Sequence, residues 1–394
     1  MSGNKNKAMT GAESVAEAMK QINPDVVPAY PITPQTDIMH TFAKFVADGK
    51  VESEMILVES EHSAMSAAVG AAAAGGRVMT ATAANGLALM HEIVYIAASS
   101  RLPIVMAVAN RALSGPINIH CDHSDTMAER DSGWIQIYCE NNQEAYDTTM
   151  LAVKLGEHKD VRLPVMVCMD GFITSHCIEG VEILDDSKVK NFVGESKTQY
   201  PLLNTEKPIT FGPLDFYDYY FEHKRQQSEG INNVRKVFPQ IAGELTKITG
   251  REYDFIERYK SDDADFVAIV MSSSAGTTKE IVDELRAEGI KAGLVKIRMY
   301  RPFPFYDIGE AIKNAKVAAI LDRTESFGAV GGPLFNEVRS AIADFKRKPK
   351  TVNYVFGLGG REYNKALAKK VFDDIQNYET NEVKELVHYL GVRD

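Results

Sequence analysis

Residues 57–76 read LVESEHSAMSAAVGAAAAGG, and the fold can be worked out from this stretch outward. Residues 55–58 (MILV) are a short apolar run of the kind a buried strand requires. Glu59-Ser60-Glu61 interrupts it, and a run of alanines with Ser, Met and Val follows. Gly75-Gly76 closes the run, as glycines close helices. The pattern predicts a strand, a tight turn and a helix that begins at Glu61. Small side chains let another backbone or a flat ligand come close, so this helix is expected to pack against something large. The carboxylate at the junction has two readings. One is a first-turn acid favoured by the helix dipole. The other is a partly buried acid aimed at a ligand across an interface.

The same alternation runs on either side. Helices are expected at 12–21, 35–47, 87–100 and 143–158, and strands at 26–30, 77–82, 104–109, 135–138 and 165–169. Short apolar strands alternating with helices predict a mainly parallel α/β sheet, with ligands at the carboxyl ends of its strands. Four polar turns fall at those ends: 31–34, 59–61, 83–86 and 110–133. The last is long and lacks periodicity, and such loops are usually functional. Residues 1–180 form the first predicted domain. Residues 181–264 read as a polar arm or linker with a helix near 239–248. Residues 265–394 read as a second α/β domain, with strands at 266–271, 292–297, 317–321 and 351–355 and a helical tail.

The chain has 394 residues, 45% of them hydrophobic and 25% charged, and a net charge of −10. The length predicts two domains. The negative balance disfavours nucleic acid, whose backbone is bound through basic patches. No run approaches the roughly 20 apolar residues of a membrane span, and the polar N-terminus does not read as a signal peptide. A cytoplasmic location is the default expectation. Cys121, Cys139, Cys168 and Cys177 include no C-x-x-C pair. An iron–sulfur cluster or structural zinc carried by this chain alone is therefore not expected.

Candidate residues sit in the polar turns. Arg111 follows a strand directly, and its guanidinium could clamp a carboxylate in fork geometry or simply be solvated. Thr33 lies between two prolines that stiffen its backbone, which suits a hydroxyl that must be held still. His120-Cys121-Asp122-His123-Ser124-Asp125 offers metal-ligand types, but so tight a spacing cannot easily close one coordination shell. A polar loop reaching into an active site is the better reading. The glycine-rich stretches 272–276 and 328–332 could seat an anion on a helix N-terminus. Neither carries a dinucleotide or P-loop pattern, and tight turn packing is the simpler reading.

Tyr30-Pro31-Ile32-Thr33-Pro34, Glu59-Ser60-Glu61-His62 and residues 110–125 (NRALSGPINIHCDHSD) closely resemble the alpha subunits of the pyruvate:ferredoxin oxidoreductases, members of the 2-oxoacid:acceptor oxidoreductases. The likeness continues through Ile209-Thr210-Phe211-Gly212-Pro213 and Arg301-Pro302-Phe303-Pro304 and covers nearly the whole chain. Ala84-Asn85 stands where the family pattern has Ser-Gln, and Gly115 where it has Ala. The resemblance implies a thiamine pyrophosphate-binding domain of the pyrimidine type and a transketolase C-terminal-like second domain, which would serve assembly. The family's pyrophosphate motif, Gly-Asp-Gly, does not occur in the sequence. The magnesium–pyrophosphate half of the site is therefore expected on a beta subunit. The iron–sulfur clusters are expected on gamma and delta (ferredoxin-like) subunits, with ferredoxin as acceptor and coenzyme A as a substrate.

Carried over residue by residue, the resemblance implies that Glu61 hydrogen-bonds the cofactor's pyrimidine ring and is the catalytic residue. Pro31, Ile32 and Asn85 would line the cofactor. Arg111 and Thr33 would hold the 2-oxoacid. Asn118, His123 and Asp125 would form a wall of the site, and no metal is expected on this chain. The expected reaction is reversible oxidative decarboxylation of pyruvate to acetyl-CoA. The alternatives are the same machinery acting on 2-oxoglutarate, a branched-chain 2-oxoacid or oxalate, a component passing its acyl group to lipoamide, and a non-catalytic scaffold.

Overall fold

The stretch that opens the reading is a strand, Glu54–Leu57, followed by a helix, Glu61–Ala74, in the computed structural model, which describes residues 5–196, 198 and 200–393. Ser60 is extended, and its hydroxyl accepts from Ser63 N, satisfying one orphan amide of the first turn. The strand pairs in parallel with Val26–Ala29, and a bridge between Val26 and Val78 ties this pair to the main sheet. There, Met79–Thr82, Val105–Asn110, Val165–Asp170 and Ile135–Cys139 run parallel and are buried along their whole length. That is why they read as continuous rather than alternating apolar runs. The last strand of this five-stranded sheet, Met299–Arg301, comes from the second half of the chain and pairs antiparallel with Ile135–Cys139.

The second sheet has six strands. Phe266–Met271 lies between Ala292–Ile297 and Val317–Asp322, and Lys350–Phe356 extends the parallel set. Ile256–Tyr259 closes one edge antiparallel. The other edge corrects the expectation of a helical tail: after the helix Lys365–Asn377, Val387–Leu390 adds a parallel strand beside Lys350–Phe356. Its sequence, VHYL, has the branched and aromatic side chains that strands favour, but it is too short to show a period.

Residues 181–264 are likewise more than a polar linker. Ile178–Ile183 pairs antiparallel with Lys5–Thr10, an N-terminal strand whose polar sequence hides it. Beyond the short helix Asp186–Val193 runs a helix of 30 residues, Tyr220–Thr249, with Pro239 inside it. Only its last part was legible, because an interior proline costs about 3 kcal/mol and normally marks a start or a stop. Here Val234, Val237, Phe238, Ile241, Ala242 and Leu245 are buried in the first sheet's core. Each large apolar side chain so buried contributes about 1.5–3 kcal/mol, which outweighs the proline. The helix expected over 87–100 is two, Ala84–Leu89 and His91–Ser99, meeting at Met90. The long loop 110–133 contains a short helix, Ser124–Ala128. No helix of the described residues is long and apolar enough to cross a membrane.

The carboxyl ends of the two parallel sheets face each other. Ser272, just past Met271, donates its hydroxyl to Cys139 O at 2.9 Å. Lys296 is fully buried between the halves, with Nζ 2.5 Å from Glu140, 2.8 Å from Glu144 and 2.6 Å from Glu257. Arg298 adds a contact to Glu144 at 2.9 Å. These carboxylates lie close enough to suggest a metal site, but the ammonium and guanidinium groups already balance them.

Burial alone would raise the Glu144 carboxyl, but Arg298 and Lys296 outweigh it and bring it down to about 2. A depressed carboxyl adds stability above its unfolded value of about 4.3 and loses it as pH falls toward the folded value. Acid unfolding of Glu144→Gln, followed by circular dichroism, should therefore show less loss of stability than the wild type across that window. Identical acid profiles would remove Glu144 from the account.

Candidate functional site

Glu61 opens its helix on the side where the first sheet's strands end, and it is 7% exposed. Among the described residues its carboxylate has no hydrogen-bond partner. A Cβ placed on Gly86 would fall 2.7 Å from Glu61 Oε1 and 2.6 Å from Thr82 Oγ1. Glycine at 86 thus lets the Glu61 carboxylate and the Thr82 hydroxyl lie directly against the 83–86 turn. Thr82 ends its strand with a buried hydroxyl that is also unpartnered. Buried polar groups are nearly always hydrogen-bonded, so this pair needs explaining. A ligand with a ring nitrogen or amino group would satisfy the carboxylate. The neighbouring turn is strained: Ala84 takes φ 43°, a left-handed conformation that a non-glycine residue holds at a cost.

The structure brings Arg111 and Thr33 together. The Arg111 guanidinium donates from Nη1 to Thr33 O at 2.9 Å and from Nε to Asn118 O at 2.8 Å. Among the described residues Nη2 has no hydrogen-bond partner, which leaves that nitrogen free to donate. Thr33 is exposed, and among the described residues its hydroxyl has no hydrogen-bond partner. Pro31 is exposed and Ile32 half-buried in the same turn, which is fixed from beneath by Gln35. The Gln35 side chain accepts from Ile32 N at 3.2 Å and donates to Ala81 O at 2.9 Å. Asn85, expected to line the cofactor, instead exchanges two hydrogen bonds with Ser114, donating to its Oγ at 2.6 Å and accepting from its N at 3.0 Å. Its side chain couples the 83–86 turn to the Arg111 loop.

Two loop residues lie elsewhere than expected. Asp125 is buried beneath the loop and points away from any open space. It accepts from Ala84 N and Arg111 N, both at 3.0 Å, from Asn110 Nδ2 at 2.8 Å and from Thr126 N at 2.7 Å. Burial lifts its carboxyl to about 6 against the pull of those donors. It positions Arg111 and the 83–86 turn without touching the open side. His123 is also buried, with Nε2 2.7 Å from Asp170 Oδ1. Asp170 further accepts from Arg323 Nη1 at 2.9 Å and from Ser273 Oγ. Burial would raise the Asp170 carboxyl, but the Arg323 and His123 charges hold it far below the usual carboxylate range. Cys121, His123 and Asp170 are close enough to suggest a cation site, but Arg323 already supplies the positive charge. Asn118 reaches the second half of the chain and donates to Gly359 O at 3.0 Å.

Thr82, Asp170, Ser273 and Arg323 were not among the sequence candidates. Thr82 and Asp170 carry a usable signal, since each is the last residue of a parallel strand. Ser273 lay in the 272–276 stretch weighed as an anion seat, and Arg323 carries no signal, because only tertiary contact brings it here. Both glycine-rich turns prove to be packing devices. Gly332 presses on Asp322, whose carboxylate accepts from Leu334 N and Phe335 N and so fills that helix N-terminus. Asp170 accepts from Ser273 N at the other turn.

Comparison with known proteins bears on the family and the fold. Residues 17–242 match the family model "Pyruvate flavodoxin/ferredoxin oxidoreductase, thiamine diP-bdg", and residues 264–366 match "Pyruvate:ferredoxin oxidoreductase core domain II". The pyruvate synthase subunit PorA of Thermotoga maritima is 61% identical over 387 residues, 98% of each chain. Among solved structures, the 2-oxoglutarate:ferredoxin oxidoreductase from Magnetococcus marinus superposes with a TM-score of 0.74 at 19% identity, covering 95% of this chain and 65% of that one. A split-gene transketolase gives 0.54 at 14% identity, covering 95% and 99%. These two likenesses speak for the fold, which is the α/β architecture shared with transketolases. On the family-model match over more than half of the chain and the end-to-end identity to a curated member, the chain belongs to the pyruvate flavodoxin/ferredoxin oxidoreductase family.

Proposed function

We propose that this chain is the subunit of a pyruvate:ferredoxin oxidoreductase that grips the pyrimidine end of thiamine pyrophosphate and the carboxylate of pyruvate. The observation that carries the reading is the buried Glu61 carboxylate, left without a hydrogen-bond partner among the described residues and packed against a glycine where any side chain would collide with it. The residues present fit the group. When bound, thiamine pyrophosphate supplies the nucleophilic carbon and the electron sink that decarboxylation of a 2-oxoacid requires.

This chain's own residues then have distinct tasks. Glu61 hydrogen-bonds the pyrimidine ring nitrogen and serves there as the proton-transfer group. Pro31 and Ile32 line the ring. Arg111 offers its free Nη2 to the substrate carboxylate, and Thr33 offers its hydroxyl to the same group or to the keto oxygen. Asp125 and Asn85 keep the Arg111 loop against the 83–86 turn.

The other tasks belong to partners. With no Gly-Asp-Gly in the sequence, the magnesium–pyrophosphate half of the site is assigned to a beta subunit. Leu57 and Ile117, 76% and 77% exposed, are apolar surface suited to such a partner. Iron–sulfur clusters are assigned to gamma and delta subunits, which pass electrons to ferredoxin, and coenzyme A accepts the acetyl group. A cytoplasmic location goes with this reading.

The assay is coenzyme A-dependent reduction of ferredoxin or a viologen by the chain purified with its partners, with pyruvate, 2-oxoglutarate, 2-oxoisovalerate and oxalate in parallel. Pyruvate should give the highest kcat/KM. Preference for another acid would keep the machinery and overturn the substrate. Tight binding of thiamine pyrophosphate by the isolated chain would sink the divided site.

A further inference from the structure

The second α/β half carries a turn, Gly357-Leu358-Gly359-Gly360, just past the carboxyl end of the strand Lys350–Phe356. Its glycines at 357, 359 and 360 have φ of 66°, 57° and 79°, so all three lie in the left-handed region. They lie against the Arg111 loop. Gly360 N donates to Cys121 O at 2.7 Å, Gly359 N donates to Asp122 Oδ2 at 3.2 Å, and Gly359 O accepts from Asn118 Nδ2 at 3.0 Å. A Cβ on Gly359 would fall 2.5 Å from Asn118 Nδ2, and one on Gly360 would fall 2.3 Å from His120 Cβ. Side chains are excluded there by the backbone conformation and by the closeness of the loop.

The contacts continue to the candidate substrate arginine. Gly359 fixes the Asn118 side chain, and the Asn118 carbonyl accepts from Arg111 Nε at 2.8 Å. Arg323, from the same half, accepts at its carbonyl from His123 N at 2.8 Å. Each bond is local and together they hold the loop at both ends of its 118–123 segment. A guanidinium must be placed to within a fraction of an ångström to meet a carboxylate, and of the groups that hold Arg111, Thr33 O, Asn118 O and the Asp125 carboxylate, Asn118 is the one fixed in turn by the second half of the chain.

We propose that the 357–360 turn is a positioning element of the substrate site: through Asn118 and Asp122 it sets the Arg111 guanidinium, and with it the affinity for the 2-oxoacid. The second half of the chain thus takes part in substrate binding as well as in assembly. This inference rests on the assignment of Arg111 to the substrate carboxylate.

The test uses the holoenzyme with its partner subunits and four variants: Gly359→Ala, Asp122→Ala, Arg111→Lys and, as a control, Gly289→Ala. Gly289 has φ 84° with no atom within 4 Å of an added Cβ, so it shares the backbone strain without touching the loop. Gly359→Ala and Asp122→Ala should raise the KM for pyruvate on the order of tenfold, as expected for loss of one charge-assisted contact. The KM for coenzyme A should not change, and Gly289→Ala should leave both values alone. A purely structural role would lower kcat without separating the two KM values. If Gly359→Ala fails to assemble, Asp122→Ala decides. Unchanged pyruvate KM in the assembled variants, with Arg111→Lys impaired, overturns the turn's role and leaves Arg111 in place. An unchanged KM in Arg111→Lys overturns the carboxylate assignment itself.

Discussion

Glu61→Gln should lower the turnover of the assembled enzyme by roughly 10²–10⁴-fold, the usual contribution of a positioned proton-transfer group. The expectation comes from what Glu61 does not touch. A buried carboxylate in a folded protein normally meets an arginine, a lysine or several amides, as Asp125, Glu144 and Asp170 do here. Glu61 is buried as well but meets none among the described residues, which points its function to a group from outside the chain. The same fact separates catalysis from stability. Removing the charge breaks no hydrogen bond within the chain, so thermal unfolding of Glu61→Gln should match the wild type. Rates would be read from viologen reduction at saturating thiamine pyrophosphate and pyruvate. Full turnover in this variant would return Glu61 to the role of an ordinary first-turn acid and bring forward the scaffold reading.

Loss of the Asp170 carboxylate is the second large effect. Asp170 ends a strand of the first sheet and is fully buried, as is Arg323 at the end of a strand of the second. Asp170→Ala leaves the Arg323 guanidinium, the His123 ring and the Ser273 hydroxyl without their shared acceptor. Removing one partner of a buried ion pair costs about 3–5 kcal/mol, because the remaining charge stays desolvated. The pH dependence has a definite sign. The Asp170 carboxyl is held far below its ordinary value, so its contribution is complete above about pH 4 and fades as the solution is made more acid. The gap between wild type and Asp170→Ala in urea unfolding should therefore be full at neutral pH and narrow on acidification. Equal midpoints at pH 7 would show that the halves are held together by other contacts.

Much of the site was legible from local sequence because local rules write it. Glu61 sits where an apolar strand stops and a small-residue helix starts, and that junction can be found without knowing the tertiary fold. Arg111 and Thr33 were legible for the same reason, since each lies in a polar turn at a strand's carboxyl end. Asp125 and His123 misled because a polar loop gives no sign of which side chains turn outward. Desolvation and the supply of donors decide that, and here Ala84 N, Asn110 and Asp170 draw them inward.

The sequence by itself determined the alternation of strands and helices, the two halves, the junction that places Glu61 and the absence of a Gly-Asp-Gly motif. Each depends on residues close together in the chain. The tertiary structure alone decided how the halves meet. The strand Met299–Arg301 joins the first sheet, Lys296 enters a nest of carboxylates, and the 357–360 turn receives the Arg111 loop. The partners in these contacts lie far apart in sequence, up to 241 residues for Asn118 and Gly359. No period or local propensity encodes such a pairing. It is set by burial and charge balance when the two sheets close on each other.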